Sequence, residues 1–145
     1  ILLEKIIKEK ALSYSISICS SQVIDKINIL NASIKAMHKS ISKLLIQPSH
    51  ILVDGNYFKP FKKIPYKCIV KGDNKFTNIA AASILAKNYR DKFMIKISKE
   101  FPAYKWEKNK GYPTKEHRAL IKKNGACVHH RKTFKLYSNQ LIFNL

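Results

Sequence analysis

Apolar residues recur along this chain at two spacings, and the switches between them mark out its elements. Residues 1–11 set Leu2, Ile6 and Ile7 on one side of a helix, with Glu4, Lys5 and Lys8 on the other. Ser13 to Ser20 alternates instead: Tyr14, Ile16 and Ile18 face one way, and Ser13, Ser15 and Ser17 the other, which predicts a half-buried strand. From about Val23 to Leu45 the spacing returns to three and four. Ile27, Leu30, Ile34, Met37, Ile41 and Leu44 make one apolar stripe, the pattern of a helix packed on a sheet. Pro48 ends that helix and biases Gln47 toward extended backbone.

Two short apolar runs follow, His50 to Val53 and Tyr66 to Val70, read as strands on either side of an exposed proline- and lysine-bearing loop, Tyr57 to Pro65. A long helix is predicted over about Asn78 to Glu100, with Thr77 as its N-cap. Its opening residues Ala80, Ala81, Ala82, Ser83 and Ala86 are small enough to let another backbone approach closely. Strand, helix, strand, strand, helix is the order of an α/β domain with a mixed sheet. Beyond Phe101 the chain becomes a Gly/Pro-punctuated, lysine- and aromatic-rich loop. A helix then runs from Lys115 to Lys123, capped by Thr114 and stopped by Asn124-Gly125. Leu136 to Leu145 is weakly patterned and is assigned no element.

Composition narrows the partners. The 145 residues are one domain's worth, and 46% hydrophobic content can supply a core. With 28 basic residues against nine acidic ones, the net charge of +19 favours a polyanion: nucleic acid first, an anionic membrane surface second. Lysine dominates over Arg90, Arg118 and Arg131, and isoleucine and asparagine are also abundant, as an A+T-rich coding bias would produce; part of the charge is then simply solvated surface. Cys19, Cys68 and Cys127 are odd in number and scattered, which points to reduced thiols and a cytoplasmic protein. No apolar stretch approaches the roughly 18 residues that span a bilayer. The chain lacks an initiator Met and a signal peptide's apolar region, so it is expected to be a fragment or to begin inside an element.

In so basic a chain the placement of acids carries information. Asp54 closes the run Ile51-Leu52-Val53, and Asp73 closes Ile69-Val70-Lys71-Gly72. Carboxylates converging at neighbouring strand ends repel unless a hard divalent cation lies between them, which suggests metal-assisted phosphodiester chemistry. Ordinary turns account for Asp54-Gly55-Asn56 and Gly72-Asp73-Asn74 as readily. Trp106, Lys110, Tyr112 and Lys115 combine cationic and planar groups able to hold a sugar-phosphate backbone, or else form a solvated loop packed by its own rings. Cys127, His129 and His130 match no common zinc spacing. His117 reads as a surface or packing residue rather than a general base. Arg90 with Asp91 reads as a local ion pair or solvated face, with a phosphate contact as the other option.

Taken in order, Ile51-Leu52-Val53-Asp54-Gly55-Asn56, Val70-Lys71-Gly72-Asp73, Ala81-Ala82-Ser83-Ile84-Leu85-Ala86-Lys87 with Arg90-Asp91, Lys110-Gly111-Tyr112-Pro113-Thr114 with His117, and His130-Arg131-Lys132-Thr133-Phe134 form a set that resembles bacterial ribonuclease HII. Ile24 to Ala32 is similar to that family's helix-leading segment, and the similarity runs from the start to about Phe134. The resemblance implies a ribonuclease H-like α/β fold: an incomplete core over 1–100 and a loop–helix extension over 101–145 that contacts substrate within the same domain. It also implies hydrolysis of RNA in RNA–DNA hybrids and at single ribonucleotides in duplex DNA, with four carboxylates binding two Mg²⁺ or Mn²⁺ ions and products ending in 5′-phosphate and 3′-hydroxyl. Asp54 and Asp73 match two of those ligands as catalytic and metal-binding residues. Tyr112 matches the tyrosine that packs on the junction sugar, with Lys110 and Gly111 beside it as substrate-binding positions.

One departure is large. The family's first strand carries an Asp-Glu pair followed by Gly-Arg-Gly, supplying two metal ligands and the backbone that reads the ribose 2′-hydroxyl; nothing here matches it, and no Asp-Glu dipeptide occurs. The central N-terminal strand is therefore expected to be missing, leaving the C-terminal two-thirds of the enzyme, nearly inactive alone and a monomer without membrane association when complete. The competing expectation is an inactive remnant that binds nucleic acid through its basic surface.

Overall fold

The structure, a computed structural model, describes residues 2–134. The unassigned stretch 136–145 and the end of the expected 101–145 extension lie outside the described residues. The chain divides into two compact units, one of residues 1–19 and 30–89, the other of residues 20–29 and 90–145.

In the first unit, helix α1 (Leu2–Lys10) is fixed by Glu4, which is 8% exposed, accepts from Lys8 Nζ at 2.7 Å, and also from Asn88 Nδ2. Strands β1 (Ile51–Asp54) and β2 (Tyr66–Ile69) pair in parallel, with Ile51 opposite Tyr66 and Asp54 opposite Ile69. Alternation buries Ile51 and Val53 on β1, and they join Ile34 and Phe58 in a core flanked by Met37, Ile41, Phe61, Ile64 and Cys68. The chain is α/β as expected. Its two-stranded sheet is parallel, and the antiparallel pairing among the described residues is the isolated bridge between Phe61 and Ile64.

Helix α2 (Ser21–Ser42) starts and ends earlier than its periodicity predicted, and its helical backbone is interrupted at Asn28, where φ is 62° and ψ 168°. The expected apolar stripe is consequently buried only in its middle: Ile34 is 3% exposed, whereas Leu30 is half exposed. The predicted strand Ser13 to Ser20 is irregular. Alternation prepares two faces, but a ladder requires a neighbouring backbone to pair with. Here the tie to α2 is made through side chains, Cys19 Sγ donating to the Ala32 carbonyl, while Tyr14 and Ile18 remain largely exposed.

Helix α3 (Thr77–Glu100) begins at Thr77 itself, so Thr77 lies in the first turn rather than capping it; the helix runs from the first unit into the second. The second unit continues through a 3-10 turn (Pro102–Tyr104), the single-turn helix α4 (Trp106–Asn109) and α5 (Lys115–Asn124). Thr114 caps α5 as expected, its hydroxyl accepting from the His117 N–H at 3.1 Å. Ile97, Tyr104, Trp106 and Ile121 form this unit's core. Among the described residues, no helix is long and apolar enough to cross a membrane.

Candidate functional site

The residues singled out in the sequence fall into two groups, one in each unit. Asp54 is the last residue of β1. The chain leaving β2 does not stop at a strand tip: it passes through Lys71 in left-handed backbone (φ 54°) into a 3-10 turn, Gly72–Asn74, that carries Asp73. The two segments are joined directly, because the Gly72 N–H donates to Asp54 Oδ1 at 2.9 Å. Gly72 is buried, and a Cβ there would lie 2.7 Å from Ile79 Cδ1 and 3.6 Å from Asp54 Oδ1, so a larger residue would have to displace the end of the Ile79 side chain. Asp73 Oδ1 accepts from the Asn74 N–H at 3.1 Å. Each carboxylate thus uses one oxygen on backbone and is solvent-exposed.

Oxygen-only donors of this kind suit a hard cation such as Mg²⁺. The same geometry also satisfies the turn reading, since both aspartates order backbone as turn residues do. Among the described residues no cluster of three or more acidic, histidine or cysteine side chains is disposed to hold a metal. That applies equally to Cys127, His129 and His130, where Cys127 Sγ does lie 3.3 Å from His130 Nδ1 but the rings are engaged otherwise.

In the second unit, Lys110 (φ 48°) and Gly111 (φ 75°) take left-handed backbone and turn the chain so that Tyr112 projects with 54% of its surface exposed. Asn109 holds the turn, accepting the Gly111 N–H at 2.8 Å while its own amide donates to the Tyr104 carbonyl at 2.8 Å. Arg90 is neither solvated nor paired with Asp91 as the sequence reading favoured. Its guanidinium donates to the Lys110 carbonyl at 2.8 Å and lies 4.3 Å from the centre of the Tyr112 ring. Two lysines of this loop are committed locally: Lys105 Nζ pairs with Glu116 at 2.6 Å, and Lys110 Nζ donates to the Glu107 carbonyl.

His117 is 5% exposed, so of the two places its sequence reading allowed, surface or packing, it takes the packed one, with both ring nitrogens engaged. Indole N–H groups only donate, so Trp106 Nε1 at 3.2 Å makes His117 Nε2 an acceptor and leaves Nδ1–H to donate to the Tyr112 carbonyl at 2.9 Å. His130 lies beside it, Nε2 to Nε2 at 3.3 Å, under Tyr104 with ring centres 4.7 Å apart. Burial first, then the neighbouring His117, push the His130 imidazole down from 6.5 to about 4, against an opposing contribution from the Cys127 backbone. Sequence reasoning also passed over Asp25. It accepts from the Lys132 N–H, the Thr133 N–H and the Thr133 hydroxyl at 2.9, 3.0 and 2.7 Å, and the Thr133 bonds hold its carboxyl below the usual range. No local pattern could have revealed a clamp closing across that much chain.

A family model described as Ribonuclease HII matches residues 1–137. The chain is 59% identical over 139 residues to a Ribonuclease HII of Christiangramia forsetii, a match covering 96% of this chain and 70% of that protein. It is 52% identical over 134 residues to one of Bacteroides fragilis and 50% over 134 to one of Phocaeicola vulgatus; each match covers 92% of this chain and 67% of the relative.

Proposed function

The chain belongs to the ribonuclease HII family of metal-dependent ribonuclease H enzymes, and on that premise we propose that it takes part in endonucleolytic hydrolysis of RNA in RNA–DNA hybrids and at single ribonucleotides in duplex DNA. The observation that carries this reading for the chain's own residues is the hydrogen bond tying Asp54 to the Gly72–Asp73 turn at the end of a parallel strand pair. Asp54 and Asp73 would hold Mg²⁺ or Mn²⁺, two ions in the complete enzyme. When bound, such ions neutralise phosphate charge and lower the pKa of a coordinated water, the chemistry that leaves 5′-phosphate and 3′-hydroxyl ends.

The remaining residues bind and orient. Tyr112, with one face against Arg90, offers aromatic surface to a ribose; Gly111 and the Lys110 backbone hold that ring at the edge of a basic loop. The field of a chain with net charge +19 attracts either duplex without distinguishing sequence. Three free cysteines fit a reducing, cytoplasmic setting.

Asp73→Asn tests the metal role, because it keeps the shape and removes the charge. Supplied with an N-terminal segment from a relative, the variant should melt like the unaltered chain. It should lose more activity than the roughly 10–100-fold typical of changes behind a metal's direct ligands. Unaltered turnover would remove Asp73 from the mechanism, and duplex binding without any cutting by the unaltered protein would reduce the function to binding.

A further inference from the structure

We propose, building on the ribose-contacting role assigned to Tyr112 above, that His117 is a positioning residue for that ring, tying the exposed reading loop to the buried core. The loop needs such a tie. Tyr112 follows two consecutive left-handed residues, one of them the lysine Lys110, a backbone path that side-chain-bearing residues avoid unless their surroundings hold them there. Glycine suits 111, where φ is 75° and a Cβ would press on Met94 Cε at 3.0 Å.

The Tyr112 carbonyl accepts two hydrogen bonds, from the Thr114 N–H at 2.8 Å and from His117 Nδ1–H at 2.9 Å. The first is local and travels with the loop. The second reaches inward: the same imidazole accepts at Nε2 from Trp106, which is 2% exposed and stacks on Tyr104 with centres 5.1 Å apart. His130 and Tyr104 close the remaining side of the ring pair. The spacing Thr114-x-x-His117 makes one residue do both jobs, since Thr114 caps the backbone N–H of the histidine whose side chain holds Tyr112. A histidine placed only to fill space would not need both ring nitrogens engaged in this order. One residue therefore joins three parts: its backbone N–H meets the cap at the start of α5, and its ring holds the carbonyl of the exposed tyrosine and the indole of the core.

Two substitutions separate the two ends of the imidazole. In His117→Asn the short amide can still donate to the Tyr112 carbonyl but cannot reach Trp106. In His117→Gln the longer amide can accept from Trp106 but no longer presents a donor at the Nδ1 position. Both, with Tyr112→Ala, are to be compared with the unaltered full chain, each supplied with a tryptophan-free N-terminal segment of a relative, by fluorescence anisotropy on two labelled duplexes that differ only by one embedded ribonucleotide. Trp106, the chain's single tryptophan, reports folding by emission and melting in the same samples.

The expected result is that His117→Gln loses roughly tenfold of the ribonucleotide preference, as Tyr112→Ala does, while all-DNA affinity falls far less and Trp106 emission stays native. His117→Asn keeps most of the preference despite a changed Trp106 signal. If Tyr112→Ala loses the preference and His117→Gln retains it, the positioning role is overturned and the role of Tyr112 stands. Loss of affinity for both duplexes in step with Trp106 unfolding, with no rescue by Asn, overturns it in favour of plain packing. A preference absent from the unaltered chain, or untouched by Tyr112→Ala, overturns the reading of Tyr112 and the positioning role together.

Discussion

Acidification should loosen the second unit through one imidazole. His130 is 6% exposed, with the rings of Tyr104, Trp106 and His117 centred 4.7, 5.3 and 5.5 Å away. Burial foremost holds it to about 4, against an ordinary 6.5. Between those two values the unfolded chain binds a proton that the folded chain refuses, so stability must fall as pH drops through that window. The contribution is fully present above about pH 6.5 and has been lost by about pH 4. At about 1.36 kcal/mol per pH unit the difference amounts to about 3 kcal/mol, a large share of a small unit's stability. Urea denaturation followed by Trp106 emission at a series of pH values from 7 to 4 measures it, with His130→Gln as the reference that cannot titrate. The variant keeps every other ionisable group, so the difference between the two curves reports the loss of the His130 imidazole. The unaltered protein should lose more stability than the variant across the window. Parallel curves would refute the argument that burial, rather than a bound proton, sets the state of this ring.

Two further outcomes follow from the geometry. Gly72→Ala should destabilise the first unit by about 1–3 kcal/mol in denaturant titration, because its Cβ lands 2.7 Å from the buried Ile79 Cδ1; a negligible loss would mean that Ile79 swings aside. Alanine at Lys105, Lys108 and Lys110 should weaken binding to all duplexes alike and reduce the slope of log K against log salt by up to about three. Lys105 should contribute least, since Glu116 already pairs with it at 2.6 Å, and an undiminished slope would move the phosphate contacts elsewhere.

What was legible in the sequence was local. Thr114 before Lys115, the two apolar runs bounded by Pro48 and by Gly72, and the long period of α3 each carry their signal within a few residues. The break at Asn28 does not, because spacings of three and four continue through it and asparagine tolerates positive φ. Alternation over Ser13 to Ser20 describes side chains and says nothing of whether a partner backbone lies alongside. The site divides the same way. Asp54 and Asp73 stood out because acids are scarce, and Tyr112 as a planar group among lysines in a loop, its place at the sugar coming from the family resemblance. Arg90 on Tyr112 and His117 beside His130 join segments that no periodicity connects, and Asp25 meets Thr133 across 108 residues.

The central claim is metal-dependent hydrolysis at a ribonucleotide, and the chemistry of the cut ends tests it most directly. An end-labelled duplex with one embedded ribonucleotide, Mg²⁺ or Mn²⁺, and the chain supplied with a relative's N-terminal segment are sufficient. The expected product is a single nick bearing 3′-hydroxyl and 5′-phosphate, abolished by chelator and by the double change Asp54→Asn, Asp73→Asn. Ends carrying a 2′,3′-cyclic phosphate, or cutting that survives both the chelator and the double change, would contradict it.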